Sequence, residues 1–219
     1  FDKQFIADEI LNNGSYAADY FIPQGFLTSP EGNGFREDGD LYNSYNITTA
    51  QAEWAKARAE LGFDSAEVEF LNYDSDGAAT VGEFLKAQLE TNLADLTITV
   101  QPMPFAQKLT QAENGDYDFT YAGWGPDYLD ATTFLDMWIT DGGYNEVGYT
   151  NATYDRLVGT DSSNPQKRWD NMVEAERILL EEDVVLAPLF QRNGVVLQKP
   201  GVNNLVEHDF GPDFSFKWT

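Results

Sequence analysis

The chain has 219 residues and a net charge of −24, from 37 acidic and 13 basic side chains; that charge disfavours nucleic acid and anionic membrane surfaces as partners and reads first as a source of solubility. Hydrophobic residues make up 42 % and aromatics 14 %, which excludes an intrinsically disordered chain. No apolar run reaches the ~20 residues of a bilayer span, and the absence of cysteine excludes disulfides, thiol catalysis and cysteine-based metal sites.

Phe1 to Leu11 carries Phe1, Phe5, Ile6 and Ile10 at helical spacing with Asp2 near the start, predicting an amphipathic helix that Asn13-Gly14 stops. Residues 15–47 are rich in Gly, Pro, Asn, Asp and aromatics without a sustained period; they predict a long loop packed by its own Tyr and Phe side chains. Thr48 or Thr49 is the expected cap of a helix that runs to Leu61-Gly62. An alternation follows: a strand from Ala66 to Tyr73, a helix from Ala78 to Leu93 with Val81, Leu85 and Leu89 on one stripe, a strand from Leu96 to Met103, a helix from Phe105 to Ala112, and a strand from Tyr117 to Ala122. This order predicts an α/β fold with a mostly parallel sheet, flanking helices and right-handed crossovers. Thr133 to Trp138 is an apolar, helix-like patch. A short helix capped by Asn151 is expected to Val158, and the longest helix from Asn164 to Glu182, with Pro165 in its first turn. Strands are expected at Val184 to Phe190 and Val195 to Leu197, before a loop-like end. No internal repeat or low-complexity tract is present.

In open parallel sheets ligands bind beyond the carboxyl ends of the strands. That is where Tyr121-Ala122-Gly123-Trp124-Gly125-Pro126-Asp127-Tyr128-Leu129-Asp130 falls. Its glycines let a ligand approach the backbone, and the indole offers a flat apolar wall. Asp127 adds a negative charge on which an α-amino group would find a charge-assisted hydrogen bond. The same residues also fit a blander role: an Asp after Gly-Pro caps turn N–H groups, and a Trp is as often a core aromatic.

Asn72-x-Asp74-x-Asp76-Gly77 with Glu83 has the spacing of a calcium loop, with Asn in the usual Asp position. A strand precedes it where a helix is required, so it reads as a strand-to-helix turn with Asp76 as the cap. The pairs Asp116/Asp118 and Asp127/Asp130 are the sequence-level support for a glycosidase acid/base pair, and spacing does not set their separation in space. His208, the single histidine, lies in the tail and completes no triad. Asn13, Asn46 and Asn151 sit in glycosylation-type sequons. No P-loop, dinucleotide loop or zinc spacing occurs, and no cofactor is implied.

Gly-Trp-x-x-Asp-Tyr, followed by a small polar pair and Phe-Leu, resembles the signature loop of the extracytoplasmic oligopeptide-binding proteins that feed ABC peptide importers, the peptide/nickel-type solute-binding family. The opening Phe1-Asp2-Lys3-Gln4-Phe5-Ile6 through Asn13-Gly14-Ser15, the segment Phe21-Ile22-Pro23, and the ending Ala187-Pro188-Leu189-Phe190 with Phe210-Gly211-Pro212-Asp213-Phe214 are similar to family segments of the Gram-positive type. The resemblance implies one lobe, the C-terminal one, of a two-lobed periplasmic-binding-protein-like fold. Residues 1–192 would be the peptide-binding lobe and 193–219 a tail returning toward the other lobe. It implies an oligopeptide ligand held by Tyr121, Gly123, Trp124, Gly125, Asp127 and Tyr128, with Asp127 as counter-charge for the peptide N-terminus. It also implies an ABC permease as partner, a monomer, no catalysis, and a lipid-anchored place on the outer face of the cytoplasmic membrane. The chain opens without Met inside a helical pattern, so a piece of a longer protein is expected, with signal and anchor outside it. Two other classes stay open: a same-fold binding protein for a sugar, metal chelate or signalling peptide, and a carboxylate-dependent glycoside hydrolase.

Overall fold

The computed structural model describes residues 1–42, 44–160, 163–208 and 214–217. Asp2 opens the first helix, its carboxylate accepting the Phe5 N–H at 3.0 Å. Helix α1 (Lys3–Phe5) then widens into a π-helical stretch, Ile6–Leu11, in place of the uniform α-helix the spacing predicts. Ile6 and Ala7 still reach the core, and Asn12 ends the segment in the left-handed region at φ 42°.

Residues 15–47 hold more order than a loop. Strand β1 (Tyr16–Ala17) pairs antiparallel with Gln191 and Phe190 from the far end of the chain. The single turn α2 (Phe35–Asp38) buries Phe35. The segment is tied down by Glu176, whose carboxylate accepts the N–H groups of Phe21 (2.9 Å) and Ile22 (2.7 Å) and pairs with the Arg36 guanidinium. Helix α3 (Ile47–Leu61) is capped by Asn46, not by either threonine. Asn46 has extended backbone, and its Oδ1 accepts the Thr49 N–H at 3.0 Å, the bond an N-cap side chain makes to the third helical residue. Gly62 closes the helix at φ 73°, where a side chain would be strained.

The alternation emerges as expected. Strand β2 (Ala66–Tyr73), strand β3 (Leu96–Met103) and strand β4 (Phe119–Thr120) form a parallel sheet in the order β3-β2-β4, with Val68 opposite Ile98 and Phe70 opposite Phe119. Helices α4 (Asp76–Asn92) and α5 (Phe105–Asn114) are the crossovers. Strand alternation sends Phe70 and Asn72 to the α4 face and Tyr73 to the α5 face. Val81 and Leu85 of α4 meet Phe70 and Ile98 in one buried cluster, with Leu89 only partly covered. Each fully buried side chain of this size contributes about 1.5–3 kcal/mol. Strand β4 is shorter than the predicted Tyr117 to Ala122. As the edge strand it bonds, among the described residues, to β2 alone, through Asp118 N–H to Glu69 O and Tyr121 N–H to Leu71 O at its margins, and the chain then turns away.

A second cluster is helical. Helix α6 (Thr132–Leu135) passes into a 3-10 turn, Asp136–Trp138; α7 (Ala152–Gly159) starts at Asn151 as expected; α8 (Pro165–Arg177) runs on into a π-helical stretch, Ile178–Glu182. Phe134, Leu135, Tyr154, Trp169, Met172 and Leu179 pack at its centre. The strand expected from Val184 to Phe190 is reduced to β5 (Phe190–Gln191), and Val184 stands at φ 48°, outside the extended region. Val195 to Leu197 joins no ladder among the described residues, and Leu197 is 94 % exposed; β6 (Val206–Glu207) and β7 (Phe214–Ser215) pair instead. Of the closing family-like segment, Phe210 to Asp213 lies outside the described residues. No described helix is long and apolar enough to cross a membrane.

Candidate ligand-binding loop at the strand ends

The loop after β4 spans the seam between the two clusters: Tyr121 packs on the sheet core and Trp124 on the helical core. From Ala122 onward the backbone has left the sheet. A Cβ added to Gly123 or Gly125 would meet nothing within 4 Å, so open space lies beside both. Trp124 is half-buried and stands edge-on to Tyr144, with ring centroids 5.0 Å apart. The exposed Asp127 donates its backbone N–H to Thr133 Oγ1 at 2.9 Å. Its carboxylate takes no hydrogen bond and no ion pair among the described residues, so it does not cap its own turn. Tyr128 directs its hydroxyl to Asp136 Oδ2 at 3.2 Å.

Asp130 anchors the loop. It accepts both Arg168 guanidinium nitrogens (2.8 and 2.7 Å), the Thr132 N–H (3.0 Å) and the Thr132 hydroxyl (2.7 Å). Burial alone would raise its pKa, but the bonds from Arg168 and Thr132 outweigh that and hold it below the usual carboxylate range. Its two oxygens are thus committed to holding the loop on α8. Arg168→Met is expected to lower the unfolding free energy by about 1 kcal/mol at neutral pH, the pair being discounted because both partners are about a third exposed. A depressed folded pKa gives stability that is present above the unfolded value and lost as pH falls through the folded one. Urea unfolding followed into acid should therefore show the difference between wild type and variant closing.

The same edge of the sheet carries a group that sequence reasoning missed. Tyr73 ends β2; it stacks on Phe105, the first residue of α5 (5.8 Å), and meets Tyr121 edge-on (6.1 Å). The Lys108 ammonium lies 4.9 Å from the Tyr73 ring centroid. A lysine early in an amphipathic helix reads as solvent-facing. The available signal was the spacing of Phe105, Lys108 and Ala112, which puts all three on one face of α5.

The calcium-like residues do not converge. Asn72 is buried, its Nδ2 donating to Ala78 O and its Oδ1 accepting the Tyr73 N–H, both at 2.8 Å. Ser75, not Asp76, is the N-cap of α4, and Asp74, Asp76 and Glu83 face solvent. Among the described residues no three carboxylate or histidine side chains are placed to hold a metal. An open groove of about 660 Å³, lined by Glu67, Glu69, Asp116 and Asp118 among others, lies along the first half of β2 and not at the strand ends. There Asp118 Oδ2 accepts the Glu69 N–H at 2.7 Å. His208 meets Ser215 Oγ at 2.7 Å in the tail.

A parallel sheet with helical crossovers and a Gly-Trp-Gly-Pro-Asp loop at its carboxyl edge places this chain among known proteins. It belongs to the bacterial extracellular solute-binding proteins, family 5, whose middle-region profile matches residues 1–146. It is 30 % identical to the dipeptide-binding protein of Lactococcus lactis subsp. cremoris over 93 % of its own length and 38 % of that protein's. The peptide-bound OppA of Listeria monocytogenes superposes with a TM-score of 0.92 at 41 % identity, over 99 % of this chain and 42 % of that one. The substrate-binding domain of an oligopeptide ABC transporter from Bacillus anthracis does so with a TM-score of 0.93 at 39 % identity, over 100 % and 43 %. The chain thus spans about two fifths of the length of these relatives.

Proposed function

We propose that this chain is one wall of an oligopeptide site, and that Asp127 is the counter-charge for the peptide's N-terminal ammonium. The observation that carries this is an exposed carboxylate with its hydrogen-bonding capacity unspent, three residues from a half-buried indole at the strand ends. The names of the similar proteins, dipeptide-binding and peptide-bound, support the ligand class. An extended peptide laid along residues 121–125 bonds to main-chain groups, which supplies affinity with little demand on side chains. Tyr121, Trp124 and Tyr128 then wall the first side chains, while Gly123 and Gly125 leave room for the peptide backbone. In the longer protein, residues 1–192 hold the peptide and 193–219 reach toward a second lobe that closes over it. The role is capture outside the cell by a lipid-anchored monomer and delivery to an ABC permease, without covalent chemistry.

Calorimetry on the full-length protein tests the counter-charge. A free-amine peptide should bind at least about tenfold more tightly than its N-acetylated form, and Asp127→Asn should erase that difference. Equal affinity of the two peptides for the wild type would remove Asp127 from this role.

A further inference from the structure

The chain's two fully described buried lysines are treated differently. Lys3 donates to Asp19 Oδ1 at 2.6 Å and to Ala18 O at 3.1 Å. Lys108 is 1 % exposed, yet its ammonium makes no hydrogen bond and no ion pair among the described residues. The stem is enclosed while the ammonium itself reaches the surface, where it lies against the Tyr73 ring. Burial lowers the Lys108 pKa, and the field of Glu146, which stops short of contact, opposes the shift. Glu146 belongs to the loop that brings Tyr144 onto Trp124, so the unpaired cation borders the wall already described. Tyr73, Phe105 and Tyr121 all sit where parallel strands end, and the charge of Arg192 also reaches Tyr121. In a chain with 37 acidic residues, an ammonium set against a tyrosine ring with no carboxylate in contact is a place for an arriving anion.

We propose that Lys108 is a specificity-determining residue that receives a carboxylate of the bound peptide. This rests on the peptide-binding reading and deepens it. The peptide's amine meets Asp127, and one of its acids, a side chain or the C-terminus, meets Lys108. Glu146 is the protein's own competitor for that cation.

The test uses the full-length protein and two kinds of matched peptides: Glu against Gln at each position in turn, and free acid against C-terminal amide. The wild type should prefer the acid by about tenfold in one of the two kinds, which tells side chain from terminus. Lys108→Met should abolish the preference and Lys108→Arg should keep it. Peptides that bind with no acid preference in either kind overturn this proposal and leave the peptide-binding reading intact. No binding of any peptide overturns that reading and this proposal with it. Should Lys108→Met fail to fold, Glu146→Gln reports on the same charge: freeing the cation should raise the acid preference, and an unchanged preference overturns the proposal.

Discussion

Arg36→Ala is expected to lower the unfolding free energy by about 3–5 kcal/mol, the cost of leaving a buried charge without its partner. Glu176 is fully buried, and Arg36 is its only cation among the described residues. Burial raises the Glu176 pKa, and the guanidinium together with the Phe21 and Ile22 N–H groups opposes that rise. Without Arg36 the carboxyl would fold protonated. A folded pKa above the unfolded one gives stability that is present below the unfolded value and lost as pH rises through the folded value. The variant's stability should accordingly fall between mildly acidic and neutral pH more steeply than that of the wild type. Arg36→Ala combined with Glu176→Gln should cost less than Arg36→Ala alone. The amide oxygen still accepts a backbone N–H, and no charge is stranded. Urea unfolding of the two singles and the double closes the cycle. Equal losses in single and double would mean that the ion pair is not what holds residues 18–40 to α8.

Helix α8 is for that reason more than packing. Arg168 on it fixes the candidate loop through Asp130, and Glu176, two turns further along, fixes the long N-terminal segment. A loop hung from a rigid helix keeps Trp124 and Asp127 in place without using Asp127's own side chain. That is what the role proposed for Asp127 requires: a fixed position with its hydrogen-bonding capacity uncommitted.

The parts of this arrangement that were legible in the sequence are those whose cause is local. The β-branched run Thr97-Ile98-Thr99-Val100 and the stripe Val81, Leu85 declare a strand and a helix within one window, and β2 and β3 appear with the expected bounds. The loop at 121–130 was legible because glycine, proline and an indole together cannot continue a sheet. What was not legible comes from distant partners. Strand β1 exists only because Phe190 and Gln191 return to it, and the segment around Phe21 is ordered by a carboxylate 155 residues away. No window reports such pairs. Lys108 is illegible for another reason: helical spacing puts it on the face of Phe105 and Ala112, but its cover comes from Tyr73, 35 residues earlier in the chain.

Asn72 decides between two readings of one motif. A calcium loop prefers Asp in its first position, so on that reading Asn72→Asp should be neutral in the apo protein and should confer calcium binding. The geometry predicts the reverse. At this buried position the Nδ2 is the donor to Ala78 O, and a carboxylate oxygen in its place would face a carbonyl oxygen with no proton between them. The loss is expected to be about 3 kcal/mol at neutral pH, a broken buried hydrogen bond plus an uncompensated charge. It should shrink in acid, because the raised folded pKa lets the protonated acid donate again, and calcium should not restore it. Gly82 supplies an independent check. A Cβ there would lie 2.3 Å from Asn72 Nδ2 and 3.5 Å from Phe70, so Gly82→Ala must displace the carboxamide. The better helix propensity of alanine, worth about 1 kcal/mol, should be overridden and the variant should be less stable than the wild type. A stable, calcium-responsive Asn72→Asp would show that the turn is open enough to take a cation. Tyr73, whose N–H is also held by Asn72, would then be less firmly placed than the site at the strand ends requires.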